Sequence, residues 1–208
     1  MVRKNPLLQH PQFVIVYLEQ LLNPQLWLEQ GDKLLEASKV LEPRLRDFWN
    51  VVLNNAKEGR YDKGDEPPNI PPSDLHGPYF ILVSYALENY LKALIIIDRS
   101  DEIRNEFIQK GKLPRLINGH NLIKLSREAN IQMSIHEEGI LIRLCRMSKW
   151  KGRYPVPVEL SDMQNIVKYS NGRGYFTDYF KPDDIDQLDI IVKRIKDILK
   201  GKESYTLS

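Results

Sequence analysis

The residues of this chain whose types and spacing can do chemistry fall into three groups. The first is a polar stripe on the otherwise apolar run Tyr79–Ile97, YFILVSYALENYLKALIII. On a helix Ser84, Glu88 and Lys92, four residues apart, line up along one face, with Asn89 beside them. A buried charge without a partner is costly, so Glu88 and Lys92 need each other, a third group or water. The stripe marks a polar site inside a bundle or an interface. The second group is His120, in the turn Gly119-His-Asn-Leu122 at a helix start. An imidazole there can act as general acid or base; alternatively His120 or Asn121 caps the helix. The third is the basic cluster Arg143, Arg146, Lys149, Lys151 and Arg153, with no acidic residue between Gly139 and Val158. Arg143, Arg146 and Trp150 share a helix face. Guanidinium groups grip phosphate bidentately and an indole stacks on a base. The commoner reading of such a cluster is a solvated surface, with Trp150 anchored in the core.

Other chemistries find little in the sequence. There is no His-x-x-x-His, no Cys-x-x-Cys and no clustered His/Asp set, so no metal site is expected. No cofactor is expected either: Gly172-Arg-Gly174 is too short for a phosphate loop and lacks a flanking strand. Cys145, the only cysteine, sits among apolar helix residues and reads as an inert thiol. His136 falls inside a capping box, and His10 and His76 lie in Pro-flanked loops. Asp183, Asp184 and Asp186 read as the acidic first turn of a helix.

Helices must position these groups. A series from Leu34 through Ala37, Leu41, Leu45 and Phe48 to Val52 marks one amphipathic face, with Pro43 expected to kink or split it. Gly59–Pro78, with five prolines and three glycines, reads as a long loop. Tyr79–Ile97 follows, then short helices over Asp101–Lys110 and Asn121–Ala129. Ser134-Ile-His-Glu137 opens a helix running to about Trp150. Leu160–Lys168 is a modest helix candidate, and Tyr169–Pro182 an aromatic loop in which Phe176 and Phe180 are expected to pack on the bundle. The last helix carries Ile185, Leu188, Val192, Ile195 and Leu199. The fold class is all-α, built from four main helices with additional short ones. Residues 1–23 read as an extension, 24–200 as one bundle domain and 201–208 as a tail.

With 208 residues the chain can bury about 70% of its unfolded surface in one core. A formal net charge of +2 implies no nucleic-acid partner by itself. One cysteine and no secretory signature point to the cytoplasm. Glu88 and Lys92 would each cost about 2.5–3.5 kcal/mol in mid-membrane, which argues against Tyr79–Ile97 as a membrane span.

Taken together, Ser84–Leu94, Gly119-His-Asn-Leu122 and Gly152-Arg-Tyr-Pro155 resemble the HEPN superfamily, over roughly Tyr79–Pro157. The resemblance implies an up-and-down four-helix bundle, often a homodimer, of the kind found in toxin–antitoxin, defence and RNA-processing systems. Active members are metal-independent endoribonucleases that carry an Arg followed four to six residues later by His. Arg153 aligns best with that arginine, yet no histidine follows it, nor Arg143 or Arg146. The leading expectation is therefore a noncatalytic module that binds RNA, a nucleotide or a protein partner. Its alternative is a divergent ribonuclease in which Arg153 stabilises the phosphate and His120 is the base. By resemblance Glu88 would face the arginine; whether it meets Arg153 or His120 stays open.

Overall fold

The computed structural model describes residues 11–60, 75–151, 166–168, 175–177 and 179–206. Its helices are α1 (Pro11–Leu21), α2 (Pro24–Lys57), α3 (His76–Lys110), α4 (Leu122–Glu128), α5 (Ile135–Arg146) and α6 (Asp183–Thr206). A π-helical turn over Met147–Lys151 continues α5. The class is all-α and the architecture a helical bundle.

α3 is the axis of the bundle. From Tyr79 to Ile96 nearly every side chain is buried, the polar stripe included. By length and composition α3 could cross a membrane, and 72% of its most apolar window lies inside the protein, as in a core helix. α2 runs antiparallel along it: Trp27 meets Lys92, Asp32 meets Tyr90, and Trp49 meets His76. At Gly31 the two helices touch so closely that a Cβ would lie 2.6 Å from the Tyr90 ring. α6 runs parallel to α3, with Lys196 over Tyr90 and Lys202 paired with Asp98. It is antiparallel to α5, where Arg143 meets Asp184 and Arg194 meets Glu137.

Several local expectations need correction. Pro43 does not split α2, which continues through it as an exposed residue. The break falls instead at Arg99, whose φ of −136° and ψ of 32° separate the apolar part of α3 from Asp101–Lys110. α3 begins at His76, so the end of the Pro-rich stretch is its first turn, where proline's missing N–H costs nothing. The rest of that loop, 61–74, lies outside the described residues. Ile166–Lys168 is a strand, β1, paired antiparallel with β2, Tyr175–Thr177. β-branched and aromatic residues favour a strand; residues 169–174, with Gly172-Arg-Gly174, lie outside the described residues. α6 reaches Thr206, past the Lys200 boundary. α1, read as an extension, adds Leu18 and Leu21 to the core.

Candidate functional site

Three successive turns of α3 and the connection from α3 to α4 build the site. Helical spacing carries Ser84, Glu88 and Lys92 down one face. Lys92 Nζ donates to Glu88 Oε1 at 2.6 Å, and both side chains are buried, 6% and 9% exposed. The α3–α4 connection then brings His120 onto the same carboxylate, with Nδ1 2.9 Å from Oε2 and 3.0 Å from Oε1. The open pairing of Glu88 is thereby settled among the described residues: it meets Lys92 and His120. Arg153 lies outside them.

A carboxylate can only accept, so Nδ1 of His120 presents its N–H to Glu88, and in the neutral ring the lone pair lies on Nε2. The His120 side chain is 78% exposed although its partner is buried. Nε2 has no hydrogen-bond partner among the described residues and is open to a ligand. Asn121, not His120, caps α4, accepting from Lys124 N at 3.0 Å. His120 is thus free of the capping role that the sequence left open.

Cys145 anchors the turn from below. Its Sγ accepts from Leu122 N at 3.2 Å and donates to the His120 carbonyl at 3.8 Å. Burial pushes the thiol above its ordinary value, and the Glu88 charge adds to this. The contact also sets the end of α5, which carries Arg143 and Arg146, beside the His120 backbone.

Within the basic cluster Arg143 is turned inward. Arg143 is buried, and its guanidinium donates to both oxygens of Asp184 at 2.9 Å. It lies over the ring of Phe180, which stacks on Phe80 at 3.5 Å between centroids. Its expected place in a phosphate site is therefore corrected: Arg143 joins α5 to the start of α6. The reason is that Asp184, whose carboxylate also accepts from Lys181 N, would be a buried charge without it. Arg146 is half-buried and Lys149 exposed. The side chains of Trp150 and Lys151 are outside the described residues. Phe180 packs on the bundle as expected, while the side chain of Phe176 is outside.

The other stripe residues differ in role. Asn89 Nδ2 donates to the Tyr85 carbonyl at 2.7 Å. Ser84 Oγ is fully buried and makes no hydrogen bond among the described residues. No group of three or more His, Cys, Asp or Glu side chains that could hold a metal occurs among the described residues.

Sequence reading passed over two residues. Trp27 stands under Lys92, 5.5 Å from Nζ to the ring centroid, a contact only tertiary pairing could reveal. Arg115 was visible in the sequence: Arg115-Leu-Ile-Asn-Gly-His120 has the arginine-to-histidine spacing that the resemblance names. It lies on the same connection as His120 and is 83% exposed, with its backbone N and Nε bonded to Glu106 at 3.3 and 3.2 Å.

No family model, curated protein or solved structure matches the chain.

Proposed function

We propose that this protein is a HEPN-like helical module directed at RNA, and that it cleaves RNA without a metal, using His120 as general base. The observation that carries the reading is an imidazole left in water while its Nδ1 is tied to a buried carboxylate. A hydrogen bond made for stability alone gains little by exposing one partner. For proton transfer the arrangement has a purpose: Glu88 orients the ring, and Nε2 meets the substrate.

In the reaction Nε2 takes the proton of a ribose 2′-hydroxyl. The 2′-oxygen attacks the neighbouring phosphorus and the bond to the 5′-oxygen breaks. A 2′,3′-cyclic phosphate and a 5′-hydroxyl remain, the leaving 5′-oxygen taking its proton from solvent water and the proton on Nε2 returning to solvent. Charge that builds on the phosphate oxygens calls for a cation nearby. Arg115 is our first choice, since its terminal nitrogens make no hydrogen bond among the described residues. Arg153 is the alternative that the resemblance gives. The alternating directions of α2, α3, α5 and α6 support an up-and-down bundle of the HEPN kind. A homodimer and a toxin–antitoxin or defence setting follow from the resemblance alone, and a cytoplasmic location from the cysteine usage.

A noncatalytic module that binds RNA, a nucleotide or a protein partner is the second reading. Arg115 turned toward Glu106 rather than Glu88 favours it. An RNA-cleavage assay on metal-free protein, scored for 2′,3′-cyclic phosphate ends, separates the two. Cleavage by the wild type that is lost in His120→Ala and reduced in Arg115→Ala or Arg153→Ala supports catalysis. RNA binding without cleavage supports the second reading.

A further inference from the structure

A cleft of about 420 Å³ is walled by Tyr17, Leu26, Trp27, Gln30, Asn89 and Leu113. Its size falls within the range of small-molecule sites, about 300–1,000 Å³. We propose that this cleft is a nucleobase subsite, holding a base of the RNA whose phosphate is presented to His120. The inference rests on the RNA-directed reading of that site and adds what the substrate must offer.

Position is the first support. Asn89 directly follows Glu88 on α3. Trp27 lies under Lys92, which holds Glu88. Leu113 belongs to the same α3–α4 connection as His120. The cleft and the proposed base are therefore joined through Glu88 and Lys92 on one side and through a single loop on the other.

The chemistry of the walls is the second. Nucleobases are recognised by stacking on aromatic faces and by hydrogen bonds to their edges. Tyr17 stacks on Phe107 at 4.9 Å and 22°, so one face is covered and the ring is held. It is nonetheless 43% exposed, which keeps the remainder available. The Trp27 indole is pinned by its Nε1 donating to the Leu21 carbonyl at 3.1 Å. Both rings are thus pre-positioned, which lowers the ordering cost of binding. Asn89 uses one Nδ2 proton on Tyr85, leaving its second N–H and Oδ1 without a partner among the described residues. An amide with a donor and an acceptor to offer, in a cleft that two aromatic rings also wall, suits the edge of a base better than an apolar partner helix would. A partner helix would bury that amide with no group to answer it.

The test uses the full chain and the four nucleoside 5′-monophosphates as probes, read by the Asn89 carboxamide and Trp27 indole resonances. Saturable shifts at both, with the affinity read at Trp27 weakened about fivefold or more by Tyr17→Leu and by Asn89→Ala but not by Tyr17→Phe, would establish the subsite. Where RNA is cleaved, the same variants should raise KM and alter base preference while kcat holds. Cleavage by the wild type with no shift at either residue would overturn the subsite and leave the catalytic reading standing. Shifts without any cleavage would keep the subsite and remove the catalytic reading. Resonances that move with protein concentration alone would also overturn it, showing that a second copy of the chain covers this face.

Discussion

Oε2 of Glu88 lies 2.9 Å from Nδ1 of His120, so a buried carboxylate on α3 sets the tautomer of a ring that stands in water. Lys92 takes the other oxygen of the same carboxylate. One acid therefore has two partners with different duties. Lys92 answers the cost of burying Glu88, and His120 takes its orientation from it.

Because its ring is exposed, His120 should contribute little to folding. His120→Ala is expected to change stability by no more than about 0.5 kcal/mol, since Glu88 keeps Lys92. RNA cleavage should fall by about 10²–10⁴-fold, the usual worth of a general base. Urea unfolding and cleavage rates of the same preparation check both halves.

Glu88 and Lys92 should behave in the opposite way. Glu88→Ala strands a buried ammonium group and should cost about 3–5 kcal/mol. Replacing both, Glu88→Leu with Lys92→Met, should recover most of that loss while leaving His120 without its carboxylate. Denaturant midpoints of Glu88→Leu, Lys92→Met and the double variant form the cycle; additive losses would contradict the pairing.

Much of this was legible from spacing alone. Residues four apart on an apolar run must share a face, so the stripe and its need for partners followed directly from Ser84, Glu88 and Lys92. The helix starts at Asn121 and Ser134 were legible too, because their caps are local; Glu137 closes the box with Ser134 N at 2.8 Å. Partners distant in sequence were not legible. Nothing local says that Glu88 meets His120, or that Arg143 in a basic run has Asp184 waiting on another helix. Asp184 itself looked like a helix-dipole residue, which its position at the start of α6 also allows. Arg115 is the opposite case, visible by its spacing to His120 and overshadowed by the more crowded cluster downstream.

The Arg143–Asp184 pair should prove structural. Arg143→Ala leaves the buried Asp184 carboxylate without its guanidinium and should cost about 3–5 kcal/mol, with Asp184→Asn close behind. RNA binding and cleavage by whatever fraction remains folded should be unchanged. Thermal unfolding beside a cleavage assay below the melting temperature distinguishes this from a phosphate-binding role.

Acid should loosen the contact of α2 with α3 and α6. Burial alone would raise the Asp32 carboxyl, but hydrogen bonds from Lys196 and Tyr90, both 2.7 Å, outweigh it and hold it below its ordinary 3.8. A carboxyl lower in the folded than the unfolded state stabilises fully above its unfolded value. That stabilisation is lost as the pH falls through the lower, folded value. Stability of the wild type should therefore drop on the acid side of about pH 4, and Asp32→Asn should drop less over the same range. Urea titrations at neutral pH and at about pH 3 give the comparison.

The most direct test of the central claim is chemical rescue. His120→Ala, with Glu88 and Lys92 intact, should cleave RNA slowly and regain activity in proportion to added imidazole, producing 2′,3′-cyclic phosphate ends. A His120→Ala protein that cleaves at the wild-type rate, or a wild type that does not cleave at all, would contradict His120 as the base.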